Sequence, residues 1–332
     1  MATCLFRSPL AFRLQGFLES RRSAGRHEVG REKILLYLDR FLTGELAPGQ
    51  ALTRQVVERW VQSMRHLSPG TRLNRLTILR QFCRYLSYFD PRTCVVFQCF
   101  LPRRPRFVPY IYTRHEVGRI MTAAQRGGAP GSLEPAVVAT LVGLLYATGL
   151  RIGEALWLKL GDLDLRRQLI HVREGKFQKA RYVPLSPSTT AHLQVYLRWR
   201  QRAGLSTSPD APLFVNTRGG MYHPVTFATR FLAILRELGL RGPKGQRGPR
   251  VHDLRHAFAV GRLLAWYRQG ANLLAKLPLL STYLGHATVT GTEIYLHATA
   301  ELLTQASQRF HEHFAIPSAL VRIRKRLRYA KH

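Results

Sequence analysis

His252-Asp-Leu-Arg-His256, Leu284-Gly-His286 and Glu293-Ile-Tyr-Leu-His297 lie in the last third of a 332-residue chain and decide how the rest of it is read. His252 and Arg255 stand three residues apart, one helical turn, so within a helix expected over 252–269 both side chains reach one site. Two upstream segments, Ala147-Thr-Gly-Leu-Arg-Ile-Gly-Glu154 and Gly175-Lys176, add an arginine and a lysine. Such a set suits the breaking of a phosphodiester. In-line attack on phosphorus builds negative charge on the non-bridging oxygens, and fixed cations stabilise that charge better than mobile water does. Arg151 and Arg255 meet this need, since a guanidinium grips two oxygens and stays charged at any working pH.

In order and approximate spacing, the five segments resemble the tyrosine recombinase (phage integrase) pattern, in its Xer-like form. The resemblance covers nearly all of 112–314, and its C-terminal part is the specific one: a Gly-His followed nine residues later by Tyr, with His-x-x-Arg upstream. It assigns Arg151 and Arg255 to the scissile phosphate, Tyr295 to the attack, His252 to proton handling and His286 to a hydrogen bond with a phosphate oxygen. A phenol with pKa about 10 needs its proton accepted or its phenolate stabilised nearby. Lys176, at a hairpin turn, is the candidate general acid for the departing 5′ oxygen. Lys179 is its rival, and the pattern Gly-Lys-x-x-Lys-x-Arg-x-Val-Pro-Leu favours Lys176. Each residue alone has an ordinary reading: Arg151 as a surface residue opening a helix, Tyr295 as core, a histidine as structural, Lys176 as a solvated loop tip. Only the set outweighs these. One departure stands out, a longer segment between Arg255 and Gly285, where Leu264–Pro278 looks like an insertion that bears on the packing of His286.

Composition points the same way. The chain carries 51 Lys+Arg against 19 Asp+Glu, a formal charge of +32, which makes the folded state repel itself unless a polyanion neutralises it. Most of the excess is arginine, which suits bidentate phosphate contacts. A 45% hydrophobic content indicates packed cores rather than a solvated basic arm. Cys4, Cys83, Cys94 and Cys99 lack the paired spacing of a zinc site and read as reduced thiols. No apolar run is long enough to span a membrane. The Arg- and Ser-bearing, acid-poor residues 1–26 imitate a transit peptide, although a first helix fits them better.

The expected fold is mainly α with a small antiparallel β-sheet (α+β). An N-terminal helical core-binding domain is expected over 1–100, a basic Pro-rich linker over 101–111, a catalytic domain over 112–314 and a basic helix or tail over 315–332. Apolar periodicity predicts helices over 31–42, over 56–64 behind a Thr53 cap, and from Ser68-Pro69 to Leu86. The last of these carries Arg72, Arg75, Arg80 and Arg84 with almost no acid between them, which together with Arg103 and Arg104 of the linker makes a candidate DNA-backbone surface. Beyond it, Thr113 and Glu116 have capping-box spacing. Helices are expected over 135–146, 152–160, 189–202, 226–238, 252–269, 279–284 and 299–314, and strands over 169–173 and 181–185.

The resemblance implies a site-specific DNA recombinase, an integrase or a transposon-borne transposase, that cleaves and rejoins duplex DNA through a 3′-phosphotyrosine. Bond energy is conserved in that intermediate, so neither a nucleotide cofactor nor a metal is implied. It further implies a homotetrameric synapse on DNA, no small-molecule substrate, and a cytoplasmic, nucleoid-associated, bacterial-type setting. Type IB topoisomerase-like relaxation and a catalytically silent DNA-binding protein are the alternatives.

Overall fold

The structure is a computed structural model that describes residues 5–24, 29–95, 109–127, 132–173, 180–216 and 218–286, with Thr292 and Tyr295. The chain divides into two compact units, Met1–Phe107 and Val108–His332.

In the first unit, α1 (Ala11–Ser23), α2 (Val29–Glu45), α3 (Arg54–Ser63) and α4 (Pro69–Leu86) enclose one apolar core. The periodic apolar positions supply it: Leu35, Leu38 and Leu42 of α2, Trp60 of α3, and Leu76, Leu79 and Phe82 of α4 are all buried. Residues 11–23 do form a helix, anchored through buried Leu14, Phe17 and Leu18. Ahead of it, the backbone amides of Arg7 and Ser8 donate to the buried Asp39 carboxylate at 2.9 Å each. Ser68 caps α4 by accepting from the Thr71 amide at 3.3 Å, and Pro69 fills the first turn, where no amide hydrogen is needed.

The second unit is built round α6 (Glu134–Thr148), whose residues are buried on nearly every side, as a helix without polar faces must be. Against it pack α5 (Arg114–Arg126), closed by the Thr113–Glu116 capping box, and α8 (Pro187–Arg202). Gly149, at φ 64°, ends α6 in the left-handed conformation that glycine tolerates best. Next, α7 covers only Ile152–Leu156, not the whole of 152–160. Non-local pairing overrides the helical periodicity there, because Leu158 O accepts from Leu213 N at 2.8 Å and Leu160 N donates to Ala211 O at 3.0 Å.

A three-stranded antiparallel sheet follows, β1 (Leu163–Asp164), β2 (Leu169–Val172) and β3 (Arg181–Pro184), in the order β1-β2-β3. Register pairs Leu169 with Pro184 and Val172 with Arg181. Ile170, Val172 and Val183 face the core, while His171 and Tyr182 stack on the outer face with centroids 4.8 Å apart.

The remaining described helices are α9 (Pro224–Glu237), α10 (His252–Arg268) and α11 (Leu273–Leu284). α11 begins well before the 279–284 expected for it. Asn272 caps it, accepting from Leu274 N at 3.0 Å and Ala275 N at 3.3 Å, and Pro278 sits inside it rather than ahead of it. The stretch that looked like an insertion is thus the end of α10, a turn through Gly270 at φ 79°, and the first half of α11. Cys83 and Cys94 are free thiols. No described helix is long and apolar enough to cross a membrane. The hairpin tip at 174–179, Arg103 and Arg104, Cys4 and Cys99, the helix expected over 299–314 and the tail over 315–332 lie outside the described residues.

Candidate active site

Two helix C-termini create the site. A helix end leaves carbonyl oxygens without intrahelical partners, and those oxygens carry the negative end of the helix dipole. α6 ends at Gly149 and α11 at Gly285, both with φ 64°, and the two ends meet over α10. Arg255, one turn into α10, donates from Nη1 to Gly149 O at 2.8 Å and from Nη2 to Leu284 O at 2.6 Å. Its side chain is almost wholly buried, and its Nε makes no hydrogen bond of ordinary geometry. Burial first, and then the Arg151 charge, lower its pKa to about 10, which leaves it cationic near neutrality.

Arg151 sits at the start of α7 and donates from Nη2 to Gly285 O at 2.8 Å and from Nη1 to Glu154 Oε1 at 2.7 Å. Glu154 is buried and accepts from the Arg151 backbone at 3.0 Å as well as from Arg181 Nη1 and Nη2 at 3.3 and 2.8 Å. Burial works to raise its carboxyl pKa, but the Arg181 and Arg151 hydrogen bonds prevail and hold it below the usual range. Arg181, on β3, also donates from Nε to Tyr283 O at 2.8 Å, tying the sheet to α11. A guanidinium has five N–H groups. Among the described residues, hydrogen bonds of ordinary geometry take two from the side chain of Arg151 and two from that of Arg255, and Arg255 also makes a looser hydrogen bond to the Tyr295 phenol.

The phenol and imidazoles complete the cluster. Tyr295 is buried against Ala259, Val260, Leu263 and Leu284, and its hydroxyl lies 3.2 Å from His256 Nδ1. Burial raises the phenol pKa, while the Arg255 and Arg151 charges oppose that rise. His286 shares a 2.8 Å hydrogen bond between Nδ1 and Thr292 Oγ1, and its ring stacks parallel to that of Tyr295 at 6.4 Å. Burial, then Arg255 and Arg151, lower the His286 pKa to about 4. For His256, burial and then Arg250 and Arg255 bring it to about 4. Surrounding protein and then the His256 and Arg255 charges lower His252 to a similar value, about 4. Because the ring of His252 is open to solvent, water tempers its shift more than that of buried His256.

Arg151, His252, Arg255, His286 and Tyr295, distant in sequence, are therefore brought together, while Lys176 falls outside the described residues. Sequence reasoning gave no role to Glu154, Arg181 or His256. Glu154 was detectable as the residue three places after Arg151, and Arg181 and His256 stand inside the quoted motifs. Among the α4 arginines, Arg84 is exposed and Arg72, Arg75 and Arg80 are half-buried, Arg75 lying 4.4 Å above the Tyr37 ring.

A buried phenol set beside two guanidiniums at paired helix ends is an arrangement suited to phosphoryl transfer. Residues 111–301 match the phage integrase family. A Sinorhizobium fredii protein named as an integrase/recombinase, y4rB, is 35% identical over 89% of this chain and 95% of its own. Tyrosine recombinase XerD of Caulobacter vibrioides is 31% identical over 77% of this chain and 81% of its own. Among solved structures, the Tn1549 transposon integrase in complex with transposon right end DNA has a TM-score of 0.66 at 19% identity, covering 92% of this chain and 99% of that one. The chain belongs to the phage integrase family, the tyrosine recombinases. It is a DNA-binding enzyme that cleaves and rejoins DNA in site-specific recombination.

Proposed function

We propose that Tyr295 attacks the scissile phosphate and that Arg151, Arg255 and His286 hold its non-bridging oxygens. The phenolic oxygen bonds to phosphorus, the bond to the 5′ oxygen breaks, and a 3′-phosphotyrosine remains. Lys176 supplies the proton taken by the departing 5′ oxygen. A 5′ hydroxyl of the partner strand then attacks the phosphotyrosine and regenerates the phenol. One observation carries the reading: the buried Tyr295 hydroxyl lies in the field of Arg255 and Arg151, and each guanidinium has N–H groups that make no hydrogen bond of ordinary geometry among the described residues.

Exchange between two duplexes needs several active sites, so the working form is a homotetramer on duplex DNA, in the cytoplasm where that DNA lies. The protein serves a mobile element, as an integrase or a transposon-borne enzyme. Its relatives named as integrase/recombinase support that choice. Arg72, Arg75, Arg80 and Arg84 of α4, with Arg103 and Arg104, follow the phosphate backbone.

DNA trapped covalently on the protein in cells and then sequenced tests the proposal. Wild type should yield one recurrent sequence, and Tyr295→Phe should bind that sequence without forming an adduct. An adduct on Tyr295→Phe would remove Tyr295 as the nucleophile.

A further inference from the structure

Among the titratable groups clustered here, His256 has no part in the reaction as written above, yet it touches the attacking atom. It lies one turn beyond His252 on α10, is buried, and places Nδ1 3.2 Å from the Tyr295 hydroxyl. On its far side, Nε2 lies 3.9 Å from Asp253 Oδ1, too far for a hydrogen bond but close enough to favour a positive ring. Asp253 is itself buried and fixed, accepting from the Arg250 amide at 2.8 Å and from Arg250 Nη2 at 3.4 Å. His252 packs edge-on against His256 at 4.8 Å and makes no hydrogen bond to the phenol among the described residues.

We propose that His256, rather than His252, is the base that orients Tyr295 and takes its proton during attack, with Asp253 behind it. This rests on the assignment of Tyr295 as nucleophile. Carboxylate, imidazole and hydroxyl follow one another in the order by which hydrolytic triads activate serine. As the phenolic oxygen bonds to phosphorus, its O–H bond breaks and leaves its electron pair on oxygen, and the proton passes to His256 Nδ1. The bond from phosphorus to the 5′ oxygen breaks with its pair on that oxygen, which is protonated by Lys176. In rejoining, the attacking 5′ hydroxyl gives its proton to Lys176 as its oxygen bonds to phosphorus, the bond from phosphorus to the phenolic oxygen breaks, and Nδ1–H returns the other proton to that oxygen, so nothing is consumed.

The groups facing His256 fit this cycle. They are Asp253, His252 and Arg255 on its own helix, Arg250 just before it, and His286 and Tyr295 from beyond α11. Burial and the arginine charges keep the resting ring neutral, so Nδ1 can accept. A phosphate seated against Arg255 offsets part of that positive field and raises the basicity of His256 at the moment it is needed.

The test uses nicked suicide duplexes of the sequence recovered from wild-type protein, with oxygen or sulfur as the bridging 5′ atom. Sulfur leaves without needing a proton, so it relieves a missing acid but not a missing base. His256→Asn keeps an acceptor near the Nδ1 position but cannot carry the proton, and His256→Ala removes both functions. Both variants should form adduct about a hundredfold more slowly or worse on both substrates, in line with the usual contribution of a general base. DNA affinity should stay near that of wild type, and Lys176→Ala should recover with sulfur. On the sulfur substrate the wild-type rate should rise with pH as His256 loses its proton, and His256→Asn should lose that rise. Wild-type rates in His256→Asn, or recovery of that variant with sulfur, would overturn the proposal. A loss of DNA affinity equal to the loss of rate would reduce His256 to a packing residue. If wild type forms no adduct on either duplex, the assignment of Tyr295 falls first and this one with it.

Discussion

Glu154 governs the placement of two arginines at once, since its buried carboxylate takes bonds from the Arg151 backbone and from the guanidiniums of Arg151 and Arg181. Removing one partner of a buried pair leaves the other charge uncompensated and typically costs about 3–5 kcal/mol. The folded pKa of Glu154 is depressed, so its stabilisation is present above the ordinary carboxylate range and is lost as pH falls through the folded value. The histidines fail earlier. His256 and His286, which are shielded from solvent, each fall from 6.5 to about 4 on folding, so the unfolded chain binds protons that the native site refuses. Stability therefore declines from about pH 6.5 downwards, by about 1.4 kcal/mol per pH unit for each imidazole that stays fully neutral. Urea unfolding measured at intervals from pH 7 to pH 5 should show this decline, and His256→Asn should make it shallower. Equal stability across that window would mean the imidazoles are not shielded as described.

At the scale of elements, the site depends on where α6 and α11 stop. Gly285 holds φ 64°, and a Cβ there would come within 3.1 Å of Arg181 Nη1 and 3.5 Å of Arg151 Nη1. Gly285→Ala therefore pays a left-handed backbone cost of about 1–2 kcal/mol and displaces both guanidiniums. Cleavage should fall at least tenfold with DNA affinity little changed. Asn272→Ala, at the other end of α11, should cost about 1 kcal/mol in thermal or urea unfolding and leave the cleavage rate of folded protein intact. If the two variants lost activity equally, the helix end would have no special hold on the arginines. This contrast also marks what the sequence could disclose. Periodicity and caps revealed α3, α4 and α5, and alternation revealed the β2–β3 pair, because those signals are local. The early end of α7 was hidden because it is set by pairing with residues 211–213, half a hundred positions away. Pro278 misled for a related reason, since the Asn272 cap and the burial of Leu277, Leu280 and Leu284 outweigh its missing amide hydrogen. The chemical groups were legible as motifs, yet their support by Glu154 and Arg181 exists only once β3 and the two helix ends meet.

For the whole molecule the governing quantity is a charge of +32 carried mainly by arginine. DNA supplies the neutralising partner, and each phosphate contact releases condensed counterions, so log affinity should fall linearly with log salt by about 0.9 per phosphate neutralised. A protein making six to ten such contacts would show a slope of roughly −5 to −9. Arginines that only touch the backbone and arginines that act on the reacting phosphate then separate cleanly. Arg84, exposed on α4, should on replacement by alanine reduce the slope by about 1 and weaken binding equally for every sequence. Arg255 is buried and committed to the carbonyls of Gly149 and Leu284, so Arg255→Lys, which keeps the charge but not the planar fork, should leave the slope nearly unchanged and abolish cleavage. Fluorescence anisotropy over a salt series, paired with adduct formation on the recovered site, measures both effects in the same samples. A flat salt response would show that the basic surface does not meet DNA. A slope that fell as much for Arg255→Lys as for Arg84→Ala would make Arg255 an ordinary phosphate contact.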